Sequence, residues 1–474
     1  MRAWRGIFFG VFAACAGLHA SAIGLNFTGT TLADYRTLSG SPNSALRPPD
    51  TIGAVGLSHI VEMTNGTFAI YNKSTGALVS RVLDQTFWTN AGFNPGAGNL
   101  SDPRVIYDIS SNRWFAAQIT VDNTGNRVLL ARTNTSDPTG TWQMVMFTGN
   151  SGFADYPTLS VDALGVYIGT NNFTDSSGSF TGVSLFSIPK ADILAGTPSI
   201  ANMSSFENLS SSTYGFTLQG ALDFGASKGH GSIVARGPLT TNLIRFDVNN
   251  PGAAGATLGT ATPITVNARG FQPLGAQPDG TTDIDTLDRR ISASAVQVGS
   301  LLYIVQTHGV AGRSALRWTV LNEATNAVLA QGDIADSNFD LYYGAISANL
   351  FGDVVIAYSR SGTGAGDFIG SYASIGRFDG VNMTFDTPLQ LRAGLANYHL
   401  GGGTDERWGD YSAVVRDPSD PTIFWAFQEF AGLGNVWSTQ ISELITTPEA
   451  ATWTLVVILI PMWAFRRRIA AWLA

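Results

Sequence analysis

The chain repeats one pattern along most of its length: a polar turn residue, a short apolar run, a second turn and a second apolar run. Short runs of alternating apolar and polar residues, bounded by Gly, Asn, Asp and Pro, are typical of β-strands. The polar anchors recur every 52 to 68 residues or so, near positions 50, 102, 155, 222, 290, 342 and 410. That interval suits a four-stranded sheet with long loops, so the sequence predicts an all-β fold.

A single four-stranded sheet cannot bury both of its faces, so neighbouring repeats must stack in a ring. Seven anchors predict a β-propeller of seven blades with four strands each. Serial β-sandwich domains are the alternative, but no Pro- or Ser-rich linker divides the chain, and the Gly- and Ala-rich residues 251–260 are interpreted as a blade loop. One short helical candidate, residues 190–194 after a proline, is interpreted as a single turn at the surface.

The amino terminus is typical of a secretory signal peptide, with two early arginines followed by an apolar run over residues 6–18. Small residues at the expected cleavage site, Ala20 and Ala22, predict that residues 1–22 are removed. The only cysteine, Cys15, lies inside this segment, either as discarded apolar filler or as an acylated lipoprotein cysteine. In the first case the mature chain has no disulfide and no cysteine chemistry.

Composition and motifs exclude several classes of function. The formal net charge of −8 argues against nucleic acid and anionic lipid as partners. No close metal-binding histidine spacing, Gly-x-Ser-x-Gly elbow or phosphate-binding loop occurs in the sequence. The sequence therefore favours a protein without enzymatic activity.

The carboxyl terminus, residues 446–474, combines the tripeptide Pro448-Glu449-Ala450 with an apolar run and a basic cluster, Arg466, Arg467 and Arg468. A helix over residues 450–465 rises about 24 Å, close to the ~30 Å hydrocarbon thickness, so we predict a transmembrane helix there. Arginines hold their end in the cytoplasm, which makes residues 23–445 an exported ectodomain.

This tail resembles the PEP-CTERM sorting signal, which has a Pro-Glu-Pro tripeptide, an apolar helix and an arginine cluster. Ala450 departs from the pattern at the third position. The resemblance implies that the chain is anchored in the inner membrane until a protease of the exosortase type cuts near Pro448. The ectodomain would then reach the cell surface or the medium. A plain anchor that is never cut is the alternative.

The body resembles a family of large secreted bacterial proteins with sialidase-like β-propellers, whose role is not established. The segments that carry this resemblance are residues 48–56, 102–108, 283–289 and 407–412. Residues 160–167 are similar to the Asp-box of sialidase propellers, a motif that stabilises a turn. The resemblance thus implies a fold rather than an activity.

An acidic loop offers the hard oxygen ligands that calcium prefers, supplied by Asp279, Asp283, Asp285 and Asp288. A solvated loop in which Asp288 pairs with Arg289 or Arg290 is the alternative. A candidate ligand surface consists of Asp285, Asp288, Arg407, Trp408 and Asp410.

Charged residues also recur at the anchors, and we interpret them as ion pairs between blades or at strand ends: Asp50, Asp102, Asp155, Asp410, Arg47, Arg104, Arg289, Arg290 and Arg407. Six tryptophans are either core residues or platforms for sugar stacking: Trp88, Trp114, Trp142, Trp318, Trp408 and Trp425.

Together these patterns predict an exported, non-enzymatic β-propeller that binds a polymer or a surface protein, with extracellular polysaccharide as the expected partner. A secreted glycan hydrolase of sialidase-like fold is the alternative.

Overall fold

The computed structural model describes residues 21–96, 98–401 and 403–446, which fold into antiparallel β-sheets with short helices. The described chain begins with strand β1 (Ala22–Thr31) and helix α1 (Leu32–Ser39). A first four-stranded meander and one helix follow: β2 (Ile52–Val55), β3 (His59–Thr64), β4 (Thr67–Asn72), β5 (Leu78–Leu83) and α2 (Asp84–Ala91).

The second meander consists of β6 (Leu100–Asp108), β7 (Arg113–Thr120), β8 (Arg127–Thr133) and β9 (Trp142–Thr148). The third meander consists of β10 (Phe153–Asp155), β11 (Ser160–Val161), β12 (Gly165–Phe173), β13 (Phe180–Pro189), α3 (Lys190–Leu194) and β14 (Ser204–Leu209). The short strands β10 and β11 both pair with β12. Helix α3 has the bounds predicted from the sequence.

The fourth meander consists of α4 (Ser211–Tyr214), β15 (Phe216–Asp223), β16 (His230–Arg236), β17 (Asn242–Asn249), β18 (Thr257–Leu258) and β19 (Thr262–Thr265). Its two short outer strands, β18 and β19, both pair with β17. The short strand β20 (Asp283–Ile284) precedes the fifth meander: β21 (Ala295–Val298), β22 (Leu301–Val310), β23 (Arg313–Asn322) and β24 (Val328–Ile334).

The sixth meander consists of β25 (Phe339–Ala348), β26 (Asp353–Gly362), β27 (Gly370–Phe378), β28 (Met383–Phe385) and β29 (Leu389–Arg392). It also ends in two short strands, β28 and β29, which both pair with β27. The short strand β30 (Asp405–Glu406) precedes the last meander, which consists of β31 (Ala413–Arg416), β32 (Ile423–Gly432) and β33 (Val436–Ile445). The all-β prediction is confirmed.

The first strands of the meanders line a central channel. Strand β2 contacts β6. The second and third meanders are joined by hydrogen bonds from the Tyr156 N–H to Asp102 Oδ2 at 3.0 Å and from Arg104 Nε to Pro157 O at 2.8 Å. Strand β11 contacts β15, β15 pairs in parallel with β21, β21 contacts β25, and β25 contacts β31. Strand β31 also contacts β2, which closes the ring. These contacts define a β-propeller. Serial sandwich domains, the alternative fold, would not form such a ring.

The amino-terminal strand completes the last meander. Strand β1 pairs antiparallel with β33, from Ala22 opposite Ile445 to Thr31 opposite Ser438. Strands from both ends of the described chain therefore share one sheet, and opening the ring would require this sheet to separate.

The core lies between neighbouring sheets and contains the large aromatic residues. All six tryptophans that were considered as sugar platforms are core residues, with at most 7% of their surface exposed: Trp88, Trp114, Trp142, Trp318, Trp408 and Trp425. Polar turns hold the strands in register. Asp162, in the Asp-box-like segment, accepts hydrogen bonds from the N–H groups of Leu164 and Gly165 at 2.7 Å and from the Tyr167 hydroxyl.

None of the helices in the described ranges has the length and apolar character needed to span a bilayer. The predicted transmembrane helix at residues 450–465 lies outside those ranges. So do most of the predicted processing residues: Ala20, Pro448, Glu449, Arg466, Arg467 and Arg468.

Candidate functional site

Six non-glycine residues adopt a positive φ at or shortly before an inner strand. Left-handed backbone is costly for such residues and persists only where the surroundings hold it. Their φ values lie between 49° and 63°: Asp50, Asp102, Tyr156, Thr217, Leu287 and Tyr343. The same left-handed backbone bend thus recurs in these six residues around one end of the channel. We call this end the entry mouth.

Asp50 and Asp102 join neighbouring meanders at this bend. The N–H of Asp410 donates to Asp50 Oδ1 at 2.7 Å, and the N–H of Tyr156 donates to Asp102 Oδ2 at 3.0 Å. The Asn65 side chain lies between the two, donating to Asp50 Oδ2 at 2.8 Å and accepting the N–H of Asp102 at 2.9 Å. These aspartates connect blades through backbone N–H groups, not through the ion pairs that the sequence predicted.

Three side chains form a floor across the channel. The Tyr156 hydroxyl donates to the carbonyl of Ser292 at 3.2 Å, and the Tyr411 hydroxyl donates to the carbonyl of Pro103 at 2.8 Å. The guanidinium of Arg104 lies 3.4 Å from the centre of the Tyr411 ring and 5.2 Å from that of Tyr156. The floor therefore connects meanders that are not neighbours in the ring.

The far end of the channel holds a cavity of about 120 Å³, enclosed by the last residues of the inner strands. Its lining is mainly apolar and includes Val55, Leu222, Val296 and Val415, together with the charged residues Asp223 and Arg416.

The carboxyl groups at the entry mouth have raised pKa values. Burial, then the charges of Asp410 and Asp102, hold the pKa of Asp50 well above its usual range. Burial and Asp410 likewise raise the pKa of Asp102. Burial, Asp102 and Asp410 raise the pKa of Asp155 to about 8, against the opposing charge of Arg290. Asp155 is therefore largely protonated at neutral pH, the state in which a carboxyl group can donate a proton.

Asp155 differs from Asp50 and Asp102 in exposure and contacts. It ends β10 and is half-buried, whereas the other two are almost fully buried. The adjacent N–H of Tyr156 and the charge of Arg290 are the groups that stabilise its ionised form. No backbone group of another meander donates to it within the described residues, so its carboxyl group is available to a ligand.

Two long loops, residues 266–294 and 393–412, cross the entry mouth and pair through β20 and β30. The N–H of Asp285 extends this pairing by donating to Glu406 O at 2.9 Å. Arg407 consequently bonds Asp285 Oδ2 at 3.0 Å and also bonds the carboxylate of Asp410. The Arg407 side chain is 40% exposed, so it faces solvent between its two partners.

Three of the five residues of the predicted ligand surface are therefore in direct contact, namely Asp285, Arg407 and Asp410. Asp288 lies at the same mouth, where it pairs with Arg290 at 2.9 Å, as the solvated-loop alternative predicted.

Trp408 does not belong to this surface. It is fully buried, its indole N–H donates to Ser359 Oγ at 3.3 Å, and its ring packs edge-on against Tyr398. Neighbouring residues of an extended segment point to opposite sides, so an outward Arg407 places Trp408 in the core.

Three of the four aspartates predicted as calcium ligands have separate side-chain partners. Asp279 pairs with His399 at 2.7 Å, and Asp285 and Asp288 bond the two arginines named above. Asp283 lies in β20, whose backbone pairs with the other loop. The four carboxylates do not form a group of converging ligands among the described residues, and the calcium site stays a prediction.

One other group of possible metal ligands does converge among the described residues: His230, Asp247 and Glu323. Arg245 already bonds both acids and supplies the positive charge that a metal ion would bring. This group is therefore an ion-pair network between the fourth and fifth meanders.

The ring of sheets and the charged entry mouth define the chain as a β-propeller with a polar site on its axis. No family model matches the chain, and no curated protein sequence matches it either.

Several solved structures are similar in fold. A protein of unknown function from Dyadobacter fermentans matches 74% of this chain and 95% of its own at 12% identity, with a TM-score of 0.42. An α-L-arabinanase of Penicillium chrysogenum with arabinobiose matches 89% and 98% at 10% identity, with a TM-score of 0.40. The Trypanosoma rangeli sialidase with the inhibitor DANA matches 77% and 57% at 11% identity, with a TM-score of 0.37. All three scores lie below 0.5, and the propeller assignment rests on the ring of contacts described above.

Sequence reasoning noticed the anchor aspartates but missed the tyrosines of the floor. A signal for both was present, because the dipeptide Asp-Tyr occurs at two anchors, as Asp155-Tyr156 and Asp410-Tyr411. The aspartates face the mouth, and the two tyrosines cross the channel beneath them.

Proposed function

We propose that the protein is an exported β-propeller that hydrolyses glycosidic bonds at its entry mouth. The observation that carries this proposal is the position of Asp155, a half-buried carboxyl group at the entry mouth that accepts no hydrogen bond from another meander in the described structure. Burial and the charges of Asp102 and Asp410 raise its pKa to about 8, which supports the same role. Strongly shifted carboxyl groups in a concave polar site are typical of acid–base catalysis. The alternative predicted from the sequence thus becomes the leading function.

In this mechanism Asp155 is the general acid that protonates the leaving oxygen of the glycosidic bond. A second carboxylate is needed as base or nucleophile, and Asp410 is the candidate because Arg407 pairs with it beside Asp155. Asp50 and Asp102 remain structural, since backbone N–H groups of other meanders occupy their oxygens.

The surrounding assignments are part of the same proposal. The meanders are taken as seven blades, with the last one completed by β1. The leader is removed after Ala22, the tail is cut near Pro448 by a protease of the exosortase type, and the ectodomain works at the cell surface or outside the cell. Extracellular polysaccharide is the proposed substrate class.

The test is turnover on a panel of neutral and acidic polysaccharides. Asp155→Asn should lower turnover by at least about 100-fold, the usual contribution of a general acid. Asp175→Asn is the matched control, because Asp175 is a half-buried carboxylate in a turn of the same meander whose oxygen bonds only neighbouring residues such as Ser177. Circular dichroism of both variants checks the fold. Hydrolysis that is unaffected by Asp155→Asn would refute the assignment.

Non-enzymatic polymer binding is the second candidate. It is favoured by the structural use of Asp50 and Asp102, which shows that acids at this mouth can serve the fold alone. If the wild-type protein binds a polysaccharide of the panel but hydrolyses none of them, the result supports binding rather than hydrolysis.

A further inference from the structure

The entry mouth has a basic side opposite its acidic one. Arginines from the fourth and fifth meanders lie within electrostatic reach of one another: Arg236, Arg269, Arg289 and Arg290. Of these four arginines, only Arg290 has a carboxylate partner among the described residues, namely Asp288. Such an excess of positive charge is unexpected in a protein whose formal net charge is −8.

This basic side adjoins the proposed catalytic acid. The Arg290 guanidinium lies 4.5 Å from the centre of the Tyr156 ring and 5.0 Å from that of Phe216. Arg236 lies 4.8 Å from the same Phe216 ring. The charge of Arg290 also acts on the Asp155 carboxyl group, so a ligand at Asp155 lies within electrostatic reach of this guanidinium group.

The arginines here have donors without acceptors. Arg236 Nε and Arg269 Nε are buried and have no hydrogen-bond partner among the described residues. The hydrogen bond that Arg289 donates goes to the carbonyl of Arg269, at 3.4 Å. Although both Nε atoms are closed to solvent, Arg236, Arg269 and Arg289 form no ion pair among the described residues, so an anion bound here would neutralise charge that the fold leaves unpaired.

Electrostatics agrees with this geometry. Burial lowers the pKa of Arg236, and the charges of Arg289 and Arg290 lower it further against the opposing effect of Asp288. Burial, then Arg236 and Arg289, lower the pKa of Arg269 to about 10. The arginines repel one another, and an anionic group between them would relieve that repulsion.

We propose that Arg236 and Arg289 bind an anionic group of the substrate, so that the glycan bound at the entry mouth is acidic. Guanidinium groups bind carboxylate and sulfate oxygens through charge-assisted hydrogen bonds, and both anions fit the same donors. The placement of this group beside a cleavage point rests on the proposed hydrolysis, whereas the binding itself does not.

The experiment measures binding of the Asp155→Asn protein, which should retain ligand without turnover. The probes are polygalacturonate for carboxylate, dextran sulfate for sulfate and uncharged dextran as the neutral reference. Arg236→Gln and Arg289→Gln, singly and together, are compared with Arg127→Gln. Arg127 is an exposed arginine on the second meander, so its replacement gives the same change in net charge away from the basic side.

We expect the parent protein to bind at least one acidic polymer about tenfold or more tightly than dextran. The double arginine variant should lose that preference with dextran binding unchanged, and Arg127→Gln should keep it. The polymer that responds identifies the anion as carboxylate or sulfate. Equal binding of all three polymers, or equal losses in the double variant and in Arg127→Gln, would overturn the inference.

Failure of the hydrolase proposal is a separate outcome. If wild-type protein hydrolyses nothing but the arginine variants lose acidic-polymer binding, the anion site stands and the enzyme does not. If the arginine variants hydrolyse neutral and acidic glycans as well as wild type does, the enzyme stands and the anion site falls. Thermal unfolding of each variant confirms that the fold is intact.

Discussion

The hydroxyl of Tyr156 donates a hydrogen bond to the backbone carbonyl of Asp410 at 3.0 Å, which links the third meander to the last one across the channel. The same hydroxyl reaches the carbonyl of Ser292 in the chain leading to the fifth meander. A single side chain near the axis thus contacts parts of the ring that are distant in sequence, and it stands directly beside the proposed general acid.

Removing this hydroxyl should weaken the ring. Tyr156→Phe keeps the packing of the aromatic side chain but removes the hydroxyl donor from the buried carbonyls of Ser292 and Asp410. We therefore expect a loss of about 1–2 kcal/mol in the free energy of unfolding. Urea denaturation measures it. Tyr35→Phe is the control, because the Tyr35 hydroxyl makes no hydrogen bond in the described structure. Equal effects of the two changes would contradict the role of the floor.

The raised pKa of Asp155 predicts a pH dependence of stability. Below about pH 4 both the folded and the unfolded state bind the proton, so Asp155 contributes no difference. Between pH 4 and about pH 8 the unfolded state releases the proton while the folded state keeps it, so stability falls as the pH rises. The loss is on the order of a few kcal/mol and is complete above about pH 8.

Asp155→Asn removes this titration, so the variant should gain stability relative to wild type as the pH rises from 5 to 8. Unfolding free energies at several pH values measure the difference. A constant difference over this range would show that the pKa of Asp155 is not raised in the folded protein.

Closure of the ring depends on Asn26 in β1. Its Oδ1 accepts hydrogen bonds from Gln440 at 2.6 Å and Ser442 at 2.7 Å, and its Nδ2 donates to Leu391 O at 2.9 Å. Asn26→Ala should therefore cost about 2–3 kcal/mol of unfolding free energy, from several lost hydrogen bonds. Asn202→Ala, at an exposed asparagine, is the control. No loss in Asn26→Ala would mean that β1 contributes little to closure.

Chelation separates the two interpretations of the acidic loop. Because Asp279, Asp285 and Asp288 have separate side-chain partners, we expect the same melting temperature in EDTA and in calcium chloride. Differential scanning calorimetry gives the answer. A melting temperature that rises with calcium, and a rise that Asp285→Asn abolishes, would restore the calcium site.

The sorting hypothesis has its own test in a host that carries the sorting protease. Changing Pro448 and Glu449 to alanine should leave a larger, membrane-retained species, because the protease would no longer recognise its tripeptide. Immunoblots of membrane and medium fractions measure size and location, with Thr447→Ala as the control. Wild type and variant of equal size and location would make the tail a plain anchor.

Much of the fold was predictable because strand and turn signals are local. The apolar runs at residues 59–63 and 301–305 of the sequence lie in β3 and β22, and the helical turn expected at residues 190–194 is α3. The site was predictable only in part. Asp285, Arg407 and Asp410 of the predicted ligand surface are in contact, whereas Trp408 is buried, because the side on which a residue of an irregular loop points depends on its packing.

The sequence by itself determined the strands, the turns and the repeated aspartates, since each of these follows from residues close together in the chain. Only the tertiary structure decided that Asp102, Asp155 and Asp410 share one mouth, because closure of the ring brings together residues that the chain separates. The pKa of Asp155 was decided in the same way, since it arises from burial and from neighbouring charges that exist only after the ring has formed.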